Sequence, residues 1–224
     1  ATDNHPFVYL REAGIPSLYL VSIALILLAS ALAVRAVSGP FRAMRSSLDL
    51  FFMGAAFLLL ETKSVVQFAL LFGTTWFVNA LVFAGILLSV LLAIEVAKRT
   101  KPNPRFLYGV LALTIAIAFV VPESALLQLA VVPRFIVAVA IAFGPVFCAN
   151  LVFAERFEMV ERPTGAFGAN LLGAMIGGTL EYASLVTGYR ALLIVAALLY
   201  ELAVLSGRRY LVERSTVGAR VAVR

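Results

Sequence analysis

Apolar runs of helix length, separated by short polar or Gly/Pro-containing breaks, constrain the fold of this 224-residue chain most strongly. The runs occupy residues 17–37, 48–72, 76–96, 106–121, 133–154, 164–186 and 189–205. A helix needs about 20 apolar residues to cross the hydrocarbon core of a bilayer, and a helix satisfies its backbone hydrogen bonds internally. The pattern therefore predicts an all-α, polytopic transmembrane bundle of about seven helices.

The composition supports lipid as the solvent. Hydrophobic residues make up 62% of the chain, charged residues only 13%, and the mean hydropathy is +1.02. A soluble domain is about 45–50% apolar and about 25% charged. We expect a multi-pass integral membrane protein, of a bacterial inner (plasma) membrane, with the bilayer as its main partner. Its transmembrane domain would cover residues 17–206, between a polar lead-in at 1–16 and a basic cytoplasmic tail at 207–224.

Breaks between the runs give the expected connections. Ser38-Gly39-Pro40 ends the first run, and the three-residue turn 73–75 predicts an antiparallel hairpin. A basic stretch ending at Pro102 stops the third helix. Residues 124–132 are apolar but brief, so they either lie along the interface or extend a fifth helix that we start at Pro133.

The distribution of Lys and Arg predicts the orientation, because cytoplasmic loops carry an excess of both. One set of loops and the tail hold Arg35, Arg42, Arg45, Lys98, Arg99, Lys101, Arg105, Arg156, Arg162, Arg208, Arg209, Arg214, Arg220 and Arg224, whereas the opposite set holds Arg11, Arg134 and Arg190. The N-terminus is therefore expected outside and the C-terminus inside. Since the net charge of +6 is scattered over helix ends, no nucleic-acid partner is expected.

Ionisable residues inside the apolar runs are the main candidates for a site. From the rise per residue, Glu61, Lys63 and Glu181 lie about 20, 22 and 25 Å from the inner surface. Gln67 shares a face with Lys63, and Asn79 falls in the same layer.

Two interpretations of this layer stay open. The first is a polar pocket around Lys63, Glu181, Asn79 and Tyr182 that binds an ion or a small charged molecule. The second, which we favour, is a buried ion pair of Lys63 with Glu181 or Glu61 that fixes helix packing.

The sixth run carries a stripe of small and polar residues. Asn170, Gly173, Gly177 and Glu181 advance by three, four and four, so they line one helix face. Small residues let another backbone approach closely. We expect a contact within the chain rather than a dimer interface, and a hydrogen bond between Asn150 and Asn170.

Familiar catalytic and metal-binding motifs are missing from the sequence. A zinc site needs several nitrogen or sulfur ligands, and the chain has one cysteine, Cys148, and one histidine, His5. We expect no catalytic residues, no metal and no cofactor, so the chain on its own is not expected to be an enzyme.

Two blocks of sequence resemble a known family. Segment 57–63 (FLLLETK), then 66–68 (VQF), 71–76 (LFGTTW) and Asn79, is similar to the membrane region of the fused spermidine-synthase-like proteins. A second block, 168–174 (GANLLGA) with 177–178 and 181–182, resembles the same family, and 2–10 (TDNHPFVYL) resembles the stretch that follows its methyltransferase-like domain. The resemblance implies that the chain is the C-terminal membrane part of a longer protein.

Three functions follow as expectations. The first is a non-enzymatic integral membrane module, belonging to a longer spermidine-synthase-like protein or to a larger membrane assembly. The second is a transporter of an ion or a small molecule, such as a polyamine, that uses Glu61, Lys63 and Glu181. The third is the membrane anchor of a transferase whose catalytic domain lies upstream.

Overall fold

The computed structural model describes residues 17–208. Its α-helices are α1 (Ser17–Ser38), α2 (Leu48–Phe72), α3 (Trp76–Thr100), α4 (Pro104–Val120), α5 (Glu123–Leu127), α6 (Val131–Glu158), α7 (Pro163–Leu180), α8 (Ser184–Thr187) and α9 (Ala191–Ser206). Short 3₁₀ turns, Phe41–Ser47 and Glu181–Ala183, lead into α2 and α8. Between residues 17 and 208 no strand forms, which confirms the all-α prediction. The lead-in at 1–16 and the tail beyond residue 208 lie outside the described residues.

The seven predicted helices correspond to α1, α2, α3, α4, α6, α7 with α8, and α9. The differences lie at the boundaries, where α3 continues to Thr100 and α6 runs from Val131 to Glu158. Pro133 is tolerated in the first turn of α6, because that turn's N–H groups have no intrahelical acceptor. The segment 124–132 is not one extension of α6, since α5 forms a separate turn of helix before it.

Within the described residues 17–208, four helical segments are long and apolar enough to cross a membrane: Ser17–Ser38, Phe41–Phe72, Trp76–Thr100 and Val131–Glu158. Helices α4 and α9 are equally apolar but shorter, with 17 and 16 residues. Large apolar side chains face outward, as at Phe83 and Leu87, which are 56% and 64% exposed. A soluble bundle would bury such a continuous apolar face.

Helix α2 lies at the centre of the bundle. It contacts α3, α5, α6, α7 and α9, and thirteen of its 25 residues are buried. Helix α1 is peripheral: it packs mainly on α7, and Val34 is its one buried residue. The difference in burial between α2 and α1 therefore comes from their positions in the bundle and not from their hydrophobicity.

Helices α2 and α7 make the closest contact in the bundle. A Cβ atom added at Gly173 would lie 1.9 Å from the Phe51 carbonyl oxygen, and one at Gly177 would lie 2.4 Å from the Ala55 oxygen. From the other side, a Cβ at Gly54 would lie 2.2 Å from the Asn170 oxygen. Glycine at these positions lets the two backbones touch, as in close-packed membrane helices.

The bundle has one end rich in arginine. Helices α1, α6 and α9 end there and α2 and α7 begin there, as shown by the Arg156–Asp49 ion pair and by the packing of Gly207 against Asp49. We call this the arginine-rich end, for Arg35, Arg42, Arg45, Arg156, Arg162 and Arg208. At the opposite end, Arg190 before α9 donates a hydrogen bond to the Phe119 carbonyl of α4.

Candidate functional site

Lys63 is a buried ionisable residue in the second half of the central helix. Its side chain donates a hydrogen bond from Nζ to Gln67 Oε1 at 2.7 Å, and the two residues are 2% and 0% exposed. Residues four apart share a helix face, so the local spacing creates this contact. Gln67 Nε2 is buried without a hydrogen-bond partner among residues 17–208.

Glu123, which the sequence does not mark as a site residue, acts electrostatically on Lys63 without forming an ion pair with it among residues 17–208. The Glu123 carboxylate attracts the Lys63 ammonium, and the Arg190 guanidinium repels it. Glu123 is 3% exposed in the short helix α5, which contacts α2. The sequence shows Glu123 only as a helix-ending residue after Pro122, so no periodicity marks it as buried.

The lengths of α4 and α9 explain why Lys63, Glu123 and Arg190 lie at one height in the bundle. Lys63 lies about 22 Å along α2 from its start at the arginine-rich end. With 17 and 16 residues, α4 and α9 span only about 26 and 24 Å. Their far ends therefore reach the height of Lys63 and bring Glu123 and Arg190 there. We call Lys63, Gln67, Glu123 and Arg190 the lysine cluster.

The other predicted site residues lie apart from this cluster. Glu181 accepts a hydrogen bond from Thr62 Oγ1 at 2.6 Å, not from Lys63. Glu61 and Asn79 are half-buried on other faces. Tyr182 packs its ring on Tyr19 of α1, with centroids 5.7 Å apart. The predicted layer is thus divided between two separate pairs, Lys63 with Gln67 and Thr62 with Glu181.

The predicted packing residues take part in contacts between and within helices. Asn170 Nδ2 donates to the Leu50 carbonyl of α2 at 3.0 Å, next to the glycine contacts at Gly173 and Gly177. Asn150 Nδ2 donates to the Val146 carbonyl of its own helix at 2.8 Å. The expected bond between the two asparagines is therefore wrong, because each Nδ2 donates to a backbone carbonyl instead.

A buried ion pair that the sequence does not predict joins the start of α2 to the end of α6. Arg156 of α6 donates from Nε to Asp49 of α2, whose side chain is 3% exposed, and the arginine side chain is 12% exposed. The sequence predicts that Arg156 lies in a loop, where it indicates only the orientation of the chain in the membrane. Asp49 in the first turn of α2 was the available signal, since a carboxylate there faces the basic loops.

Two cavities have walls that contain no residue of the lysine cluster. The first, about 490 Å³, is an apolar groove between α4 and α9, lined by residues such as Gly109, Ala112, Ala197 and Glu201. The second, about 720 Å³, lies at the arginine-rich end between the loop 37–47 and the start of α7. Within residues 17–208, no group of three or more His, Cys, Asp or Glu side chains is placed to hold a metal.

No protein-family model, no curated protein and no solved structure matches the chain.

Proposed function

We propose that the chain is a non-enzymatic, multi-pass integral membrane module that works within a longer protein or a larger membrane assembly. The proposal rests on the low burial of helix α1. Its 22 residues are strongly apolar, yet only Val34 is buried within the chain. Such a helix gains little from its own bundle, so lipid and partner helices must cover it.

The proposed orientation puts the arginine-rich end on the cytoplasmic side. It is supported by the gathering of Arg35, Arg42, Arg45, Arg156 and Arg162 at one end. The resemblance of 57–63 and 168–174 to the fused spermidine-synthase-like proteins supports an upstream domain. That domain would make the chain the membrane anchor of a transferase.

Cysteine accessibility tests the membrane part of the proposal. Ser124 and Glu158 are exposed at opposite ends, and the native Cys148 is buried and serves as the unlabelled background. In intact cells, an impermeant maleimide should label Ser124→Cys but not Glu158→Cys, which should react only after permeabilisation. Equal labelling of both in intact cells, or release of the protein by alkaline carbonate, would contradict it.

Native mass spectrometry tests the assembly part. A membrane extract should yield the chain in a longer polypeptide or in a stoichiometric complex. A self-sufficient particle of 24.1 kDa, with no partner and no additional sequence, would overturn the module proposal and favour transport.

Transport is the second candidate, and the observation that favours it is the pair of half-buried carboxylates of Glu61 and Glu181, which form no ion pair among residues 17–208. Acidic groups inside the bundle suit a cationic ligand such as a polyamine. The test is uptake of labelled spermidine into proteoliposomes. Glu61→Gln and Glu181→Gln should abolish uptake, whereas Glu95→Gln, which changes an exposed carboxylate, should leave it unchanged. No uptake by the unaltered protein would reject a polyamine substrate.

A further inference from the structure

The cavity at the arginine-rich end has the features of a site for a phosphate group. Its wall includes Ser38, Ser47, Arg156, Arg162 and the first turn of α7. Ser47 is 7% exposed, and its hydroxyl caps no helix and has no hydrogen-bond partner among residues 17–208. The Ser47 hydroxyl is reachable from the cavity, so it can bond a ligand or a water there.

The start of α7 supplies further donors. Arg162 is its N-cap residue and makes no side-chain cap, and Pro163 has no N–H to offer. The Thr164 and Gly165 N–H groups have no intrahelical acceptor, whereas Ala166 N already donates to the Arg162 carbonyl. The positive end of the helix dipole adds to the attraction for an anion.

The wall of the cavity contains two arginines, Arg156 and Arg162, and one acidic residue, Glu161. Arg162 is exposed and forms no ion pair within the described part of the chain. Arg156 shares its charge with Asp49, and Glu161 is an exposed carboxylate in the wall. The Glu161 carboxylate repels an anion, so neutralising it should strengthen the binding of an anion in the cavity.

We propose that this cavity binds a phosphate group, held by the Ser47 hydroxyl, the Arg162 guanidinium and the N–H groups of Thr164 and Gly165. Arginine and free helix N–H groups are the donors that suit phosphate oxygens. The group belongs either to an anionic lipid headgroup at the cytoplasmic surface or to a free phosphate compound. Only the lipid source depends on the membrane orientation proposed above.

The test uses the full chain with two probes. Inorganic phosphate is titrated against protein in detergent by calorimetry, and nanodiscs of phosphatidylglycerol with phosphatidylcholine are analysed for retained lipid by native mass spectrometry.

Arg162→Gln and Ser47→Ala should each weaken binding at least threefold, and Glu161→Gln should strengthen it. Arg105→Gln is the matched control, because it removes an equal charge beside the start of α4, where Asn103 caps the helix.

The outcomes are distinct. Phosphate binding that follows these variants identifies a soluble phosphate compound, and phosphatidylglycerol retention alone identifies a lipid headgroup. The proposal is overturned if neither probe binds, or if Arg105→Gln weakens binding as much as Arg162→Gln. Circular dichroism of Ser47→Ala and Arg162→Gln shows whether both variants keep their helices, and labelling of Ser124→Cys tests the membrane module independently.

Discussion

Lys63 and Gln67 form a hydrogen-bonded pair of 2.7 Å on one buried face of α2, and the buried Glu123 carboxylate of α5 attracts the lysine without an ion-pair contact among residues 17–208. The stability of the buried lysine therefore depends in part on the position of α5. Removing either charge takes away this attraction and leaves the other charged group buried, which is costly.

Lys63→Met and Glu123→Gln should each destabilise the folded protein by about 3 kcal/mol. The double variant should lose clearly less than the sum of the two, by at least about 1 kcal/mol of coupling. Reversible unfolding in mixed micelles measures all three. Strict additivity would mean that the two charges do not interact, and the lysine cluster would then not be one unit.

Gly173→Ala should destabilise the bundle by about 3 kcal/mol, since a methyl group cannot fit 1.9 Å from the Phe51 carbonyl oxygen and the three nearest atoms all belong to the Phe51 backbone. Gly109→Ala is the control, because nothing lies within 4 Å of its added Cβ. That substitution should be neutral or stabilising by up to about 1 kcal/mol through helix propensity. Equal unfolding free energies for the two variants would contradict the α2–α7 contact.

Arg156→Met should lower the unfolding free energy by about 3 kcal/mol, because Asp49 is left buried without its partner. The exposed Arg99–Glu95 pair at 2.5 Å offers a matched comparison, with side chains 76% and 52% exposed. Glu95→Gln should change stability by less than about 0.5 kcal/mol. If thermal unfolding of both variants in detergent shifts by the same amount, burial does not strengthen the Arg156 pair.

Thr62→Val should cost about 2 kcal/mol, because it removes the donor that serves the Glu181 carboxylate at 2.6 Å. Thr179→Val has the same change of shape two residues before Glu181, but its hydroxyl only bonds the Met175 carbonyl of its own helix. That variant should stay within about 0.5 kcal/mol of the unaltered protein. A loss of similar size in both would show that the loss of a hydroxyl, and not of its contact with Glu181, reduces the stability.

The apolar runs predicted the helices well, because each connection contains its own physical stop. Gly39, Gly73 and Gly188 all have positive φ angles, which glycine adopts without strain, and they sit at the predicted turns. The errors are extensions such as α3 to Thr100. Charged residues there remain helical while their side chains reach solvent.

Partners of the polar residues could not be predicted in the same way. The rise along a helix fixes the height of a side chain, so the layer of Lys63 and Glu181 followed from counting. Which neighbour a side chain meets depends on the rotation of each helix, and this is set by packing such as the Gly173 contact. Glu123 reached the layer only because α4 is short, a tertiary consequence that no local pattern displays.

The lengths of α4 and α9 also concern the lipid around the protein. At about 26 and 24 Å, both are shorter than a hydrocarbon core of about 30 Å, and they border the same groove. In a chain that spans the bilayer as proposed, this hydrophobic mismatch favours local thinning of the membrane along the flank formed by α4 and α9. The protein is then expected to prefer short-chain lipids on that flank and to sort toward thinner membranes.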